Sequence, residues 1–228
     1  MPYVPSRKTD GKSTDREEID VVVEVLAEEI AGKVTDNLSL VRVYVSNFQE
    51  VADTLLDLLS GNSVRSGAAT QLATVIYEVG KRYDYEGAYL GEFNYAFTRL
   101  IQCVPQTKVA KKEWATEIRY WAYGGGIVGS LMKASLYALD HHSGSEHMIA
   151  MGGIFMDIKD EYKWKVNRSY EATQIRKSGD AYDTPFRNIL VEVVEKDGTS
   201  LGYLDVYIEC KPGAPIEDVY SKGKLVLE

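Results

Sequence analysis

Asn94, Tyr95, Thr98 and Arg99 are the most concentrated group of chemistry-bearing side chains in the sequence. On a helix, Tyr95, Thr98 and Arg99 fall at i, i+3 and i+4 and share one face, with Asn94 beside them. A guanidinium and an amide next to an aromatic ring suit a phosphate or carboxylate, and the ring can stack on a base or sugar. The alternative is structural: the same groups can cap or bridge neighbouring helices. Phe93, Phe97, Leu100 and Ile101 flank them and put Arg99 near a core edge. Glu161 or Glu171, from a later polar helix, is the expected partner. Asn94, Tyr95, Thr98, Arg99, Glu161 and Tyr162 are therefore the candidate ligand-binding set.

Other clusters read more weakly. Asp157, Asp160 and Glu161 lie on one stretch, and Glu113 and Glu117 form an i, i+4 pair on another. Facing carboxylates from two helices could hold Mg²⁺. Lys159, Lys163 and Lys165 interleave with the acids, however, which favours a solvated ion-pair face. His141, His142, Glu146 and His147 cluster without a His-Glu-x-x-His spacing. GGGIVGS (124–130) lacks the lysine of a phosphate loop and no buried strand precedes it. Close helix packing of those glycines is the better account, with Gly152 and Gly153 as possible neighbours. Tyr77, Tyr83, Tyr85, Tyr89 and Tyr95 crowd one region, which suits an oligomer interface or ligand groove. No Ser-His-Asp or Cys-His arrangement can be assigned.

The elements that must position these groups are mostly helical. Pro2, Pro5 and Asp10-Gly11 mark residues 1–13 as an extended arm, where Tyr3 and Val4 are expected to pack on the body or on a second subunit. Thr14 and Glu17 form a capping-box pattern before Ile19, Val22, Val23, Leu26 and Ile30. LSLVRVYV (38–45) alternates like a strand yet runs straight into a helical stripe. Ser46 and Gln49 form a second capping-box pattern there. Further helices are expected over 67–83, 88–103, 110–139 and 146–177. Period-2 runs after Pro185, joined at Asp197-Gly198, predict an antiparallel hairpin. The fold class is thus a mainly α multi-helix bundle with a small β-hairpin region at the C-terminus. The expected organisation is an arm over 1–13, a helical domain over 14–182 and a β extension and tail over 183–228.

The 228 residues carry a formal net charge of −8, with 16 Tyr against 5 Phe. That acidity argues against general nucleic-acid binding, which needs a basic surface. No stretch reaches the ~18 apolar residues of a membrane span. The N-terminus has no apolar signal core, and Cys103 and Cys210 read as buried thiols. A cytoplasmic location follows as the expectation.

Three segments carry a resemblance: MPYVPSR at the start, GEFNYAFTRLI (91–101), and GGIFMDIKDEYKWKVNRSYEATQIRKSGDAY (152–182). Together they resemble an uncharacterised family of small bacterial, archaeal and phage proteins. Those proteins start Met-Pro-Tyr-Ile-Pro and carry a Gly-Glu-Leu-Asn-Tyr-x-Ile-Thr-Arg-Leu helix. Matching positions include Gly91, Glu92, Asn94, Tyr95, Thr98 and Arg99, then Glu161, Tyr162, Tyr170 and Glu171. Trp164 and Lys165 depart from the family's arginines, and residues after 185 are an extension. The resemblance implies a prokaryotic or phage protein and brings no activity. The first expectation is a non-enzymatic, self-associating structural or interaction protein without a cofactor. The runner-up is an enzyme or sequestering protein for a small phosphorylated or nucleotide-like metabolite, with Mg²⁺ as its possible cofactor.

Overall fold

The computed structural model describes residues 15–83, 87–141, 144–178, 186–194, 200–209 and 224–226. It is mainly helical and divides into two compact units, the first ending at Tyr170 and the second beginning at Glu171. The N-terminal arm, Thr14 and the Asp197-Gly198 turn lie outside the described residues. Among the described residues no helix is long and apolar enough to cross a membrane.

The first unit holds α1 (Asp15–Lys33), α2 (Asn37–Leu59), α3 (Ala68–Gly80), α4 (Ala88–Cys103), α5 (Lys108–Glu113), α6 (Thr116–Trp121), α7 (Ile127–His141) and α8 (Glu146–Tyr162). Packing partners run α1, α3, α2, α7, α8, α4 and back to α1. The ambiguous segment 38–45 is helix. Leu40, Tyr44, Phe48, Val51 and Leu55 all point inward at a spacing of three to four, and burial of that stripe overrides the local alternation. The cap lies elsewhere than expected. Ser46 and Gln49 sit inside α2, whereas Asp36 accepts from the Ser39 amide at 2.7 Å and Ser39 Oγ accepts from the Asp36 amide at 2.9 Å.

The expected helix over 110–139 is broken twice. Trp114 leaves the helix and donates its Nε1 to the Ala31 carbonyl at 3.0 Å, pinning the break to the end of α1. Ala122–Gly126 form a π-type turn kinked at Gly125, whose φ of 179° and ψ of −15° are not helical. Gly126 packs under Trp121 and Leu40, where a Cβ would fall 2.7 Å from the Trp121 ring. Gly152 instead meets Leu139 and Ala138, so the two glycine groups do not pack on each other. A second π-helical turn, Lys163–Asn167, separates α8 from α9 (Arg168–Ser178). Asn167, buried, donates to the Tyr123 and Gly124 carbonyls at 2.8 and 2.7 Å. One amide thereby satisfies two carbonyls of the other π turn.

In the second unit, β1 (Phe186–Val194) pairs antiparallel with β2 (Ser200–Glu209), in register from Phe186 opposite Glu209 to Val194 opposite Ser200. The register shifts between Val193 and Val194. β3 (Lys224–Val226) adds in parallel to the other edge of β1.

Close approach of α3 to α4 rests on Gly80, where a Cβ would lie 2.9 Å from the Tyr89 Cα. Gly80→Ala should therefore destabilise the protein by about 1–3 kcal/mol through overpacking against backbone. Gly32→Ala, with nothing within 4 Å, should leave stability unchanged or raise it by a few tenths of a kcal/mol. Urea denaturation of both variants checks the contrast; equal effects would contradict the packing.

Candidate functional site

Four phenylalanines set the geometry. Phe48 of α2, Phe93 and Phe97 of α4 and Phe155 of α8 pack with ring centroids 4.5–5.8 Å apart. Phe97 meets Phe155, and one end of the same pair of helices is marked by Tyr89 meeting His147, at the same separation of 58 residues. α4 and α8 thus run parallel. Beyond the phenylalanines the two helices face each other across a cleft of about 200 Å³.

Its walls are matched stripes. α4 contributes Tyr95, Thr98, Arg99 and Gln102, at i, i+3, i+4 and i+7. Ile158, Glu161, Tyr162 and Lys165 repeat that spacing along α8 and into the π turn. Ile101 and Val166 complete an apolar lining. The structure therefore brings Tyr95, Thr98, Arg99, Glu161 and Tyr162 to one place. Asn94 does not line the cleft: it is buried, and its Oδ1 accepts from Thr98 Oγ1 at 3.4 Å.

Arg99 has a different partner from the one expected. Its Nε donates to Asp20 Oδ1 of α1 at 2.9 Å, and Tyr95 OH donates to the same carboxylate at 3.0 and 3.1 Å. Glu161 pairs instead with Lys165, 2.6 Å away on its own helix. The physical reason is reach. α4 packs directly on α1, and Asp20 borders the apolar stripe of Ile19 and Val23 that faces it. The Arg99 terminal nitrogens have no partner among the described residues. Arg16 lies over the outer face of Tyr95, 4.7 Å from the ring centroid.

Sequence reasoning missed Asp20, Gln102, Lys165 and Val166. Gln102 and Lys165 continue the two helical stripes by one turn and were findable by that rule. Asp20 was not, since it is one of seven acids on α1 and only packing selects it.

Four ionisable groups in or beside the cleft have shifted pKa values. The Asp20 hydrogen bond holds the Arg99 guanidinium further up. Burial, then the Asp20 charge, pushes the Tyr95 phenol up. Burial raises Tyr162 and the neighbouring Cys103 thiol as well. Tyr162 OH is buried with no hydrogen-bond partner among the described residues.

The other sequence clusters disperse. Glu113 ends α5 and Glu117 lies in α6, so they do not share a helix. Among the described residues no three His, Cys, Asp or Glu side chains gather as a metal site would require. His147 Nδ1 lies 2.5 Å from Tyr89 OH; the histidine tautomer sets which of the two donates. With Tyr77, Lys81 and Tyr83 this pair lines a second groove of about 440 Å³. His142 and Tyr85 lie outside the described residues. The chain matches no protein-family model, no curated protein and no solved structure.

Tyr44, Tyr95, Tyr137 and Tyr162 all ionise above the ordinary tyrosine range, chiefly through burial, with Tyr137 at about 12 beside Asp53. Raised folded values mean the unfolded chain loses these protons first. Their stabilising contribution is then complete below about pH 10 and is lost progressively above it. Absorbance at 295 nm should show these phenols ionising only together with loss of helical circular dichroism. Complete phenol ionisation in a still-folded protein would contradict this.

Proposed function

We propose that this protein is a non-enzymatic binder of small monocarboxylates, held in the cleft between α4 and α8. The observation that carries the proposal is Arg99. Asp20 fixes its Nε, while its terminal nitrogens lack a partner among the described residues. A planar carboxylate matches a guanidinium edge with two parallel hydrogen bonds.

Charge and size narrow the ligand. Arg99, Lys165 and Arg16 bring positive charge to the site, and Asp20 and Glu161 negative. A dianionic phosphate meets two carboxylates there, whereas a monoanion meets a guanidinium edge with less repulsion. A cleft of about 200 Å³ is small against the ~300–1,000 Å³ of drug-sized sites. A short hydrocarbon body fits it against Ile101, Ile158 and Val166; a nucleotide does not. Glu161 is the one acid among the lining residues, a poor donor set for Mg²⁺. Raised pKa values make Tyr95, Tyr162 and the nearby Cys103 poor general bases near neutral pH.

Calorimetric titration with short-chain monocarboxylates should detect binding, with inorganic phosphate and nucleoside monophosphates weaker. Arg99→Gln should weaken it about tenfold or more, equivalent to ~1.4 kcal/mol. The fold should survive that change. The Arg99–Asp20 pair is about one-third exposed on both sides, so its loss should cost about 1 kcal/mol or less and a few degrees of melting temperature. Absence of carboxylate binding, or binding undiminished in Arg99→Gln, rejects the proposal.

A further inference from the structure

α7 and α8 form a hairpin joined through residues 142–145, and its outer face is apolar. On α7, Met132, Leu136 and Leu139 are exposed at i, i+4 and i+7, Leu136 by 56%. On α8, Ile149 and Met156 are exposed on either side of Gly153. Gly153 has nothing within 4 Å of where a Cβ would lie. A mid-helix glycine costs helix stability, and no packing among the described residues requires this one.

The two stripes share a centre. Ser135 Oγ donates to the Gly152 carbonyl at 2.8 Å, and Leu139 covers Gly152. In an antiparallel hairpin this sets Leu136 beside Gly153. Each stripe is close to palindromic about that level: Met132 and Leu139 flank Leu136, and Ile149 and Met156 flank Gly153. An isologous interface needs this self-complementarity.

Charge on α7 agrees with the same axis, while on α8 the exposed Glu146 and Asp160 lie at i−7 and i+7 from Gly153, with Asp160 already paired to Lys159 at 2.9 Å. Lys133 and Asp140 are exposed along one flank of α7 and have no ion-pair partner among the described residues. A two-fold axis through Leu136 carries Lys133 of one copy to Asp140 of the other, twice. It also sets Met132 against Leu139 and Ile149 against Met156. Gly153 lets the two α8 helices approach closely at the centre.

We propose that two copies of this chain associate through their α7–α8 faces, antiparallel, about a two-fold axis passing between Leu136 and Gly153. The apolar stripe runs from Met132 to Leu139, about 11 Å along α7 at 1.5 Å per residue. That places it at the small end of stable interfaces, so the dimer should form in roughly the micromolar range.

Light scattering and sedimentation of the full chain test this. At ~100 μM, well above a micromolar dissociation constant, the mass should be twice 25.5 kDa. Leu136→Glu should return it to one chain, with dissociation raised about 100-fold or more, and should keep the helical circular dichroism. Lys133→Glu and Asp140→Lys should each weaken the dimer, and the double swap should restore it. A monomeric wild type overturns the proposal, as does a dimer that survives Leu136→Glu. Failure of the double swap to restore association also overturns it, because the two-fold register demands that pairing.

Discussion

The contact on which the rest depends is the packing of Phe97 against Phe155. These rings sit 4.9 Å apart and join Phe48 and Phe93 in one cluster, which takes four of the chain's five phenylalanines. Burial of each ring stabilises the fold by roughly 2–3 kcal/mol, several times the value of a part-exposed ion pair. The cluster therefore dictates how α4 and α8 lie, and polar groups accept the positions it leaves them. Because the two helices run parallel, their stripes advance together. One turn beyond the phenylalanines, Thr98 and Gln102 are too small or too polar to fill the space opposite Ile158 and Tyr162. The cleft follows from that change in side-chain size.

Arg99 illustrates the division of labour. Its Nε is committed to Asp20, and Tyr95 OH donates to the same carboxylate from the side. Two donors on one acid hold the guanidinium plane still, and preorganisation of this kind lowers the ordering cost of binding. The pair contributes little to folding, since both partners remain about one-third open to solvent. The proposed carboxylate site relies on this combination of an orientation that is fixed and a small contribution to stability.

Backbone irregularity gathers beside the cleft. The π turns at 122–126 and 163–167 face each other, and Asn167 bridges them from within the core. The second turn carries Lys165 and Val166 to the cleft wall. An unbroken α-helix would rotate those side chains to another angle. The extra residue is thus a positional device, stabilised by one buried amide.

What the sequence determined by itself was the helical character and the candidate face. Spacing of three and four placed α1, α3 and α4 within a few residues and grouped Tyr95, Thr98 and Arg99, because helical periodicity is a local property. It also located Glu161 and Tyr162 on a later helix. Only the tertiary structure decided three further things. It turned 38–45 into helix, since burial of Leu40 and Tyr44 outweighs β-branched alternation. It chose Asp20 from seven acids on α1, because long-range pairing is set by which helices touch. And it broke 110–139 at Trp114 and Gly125, where the indole reaches α1 and the backbone turns to fit Trp121 over Gly126. Those outcomes depend on contacts between residues far apart in the chain, and no local pattern encodes them.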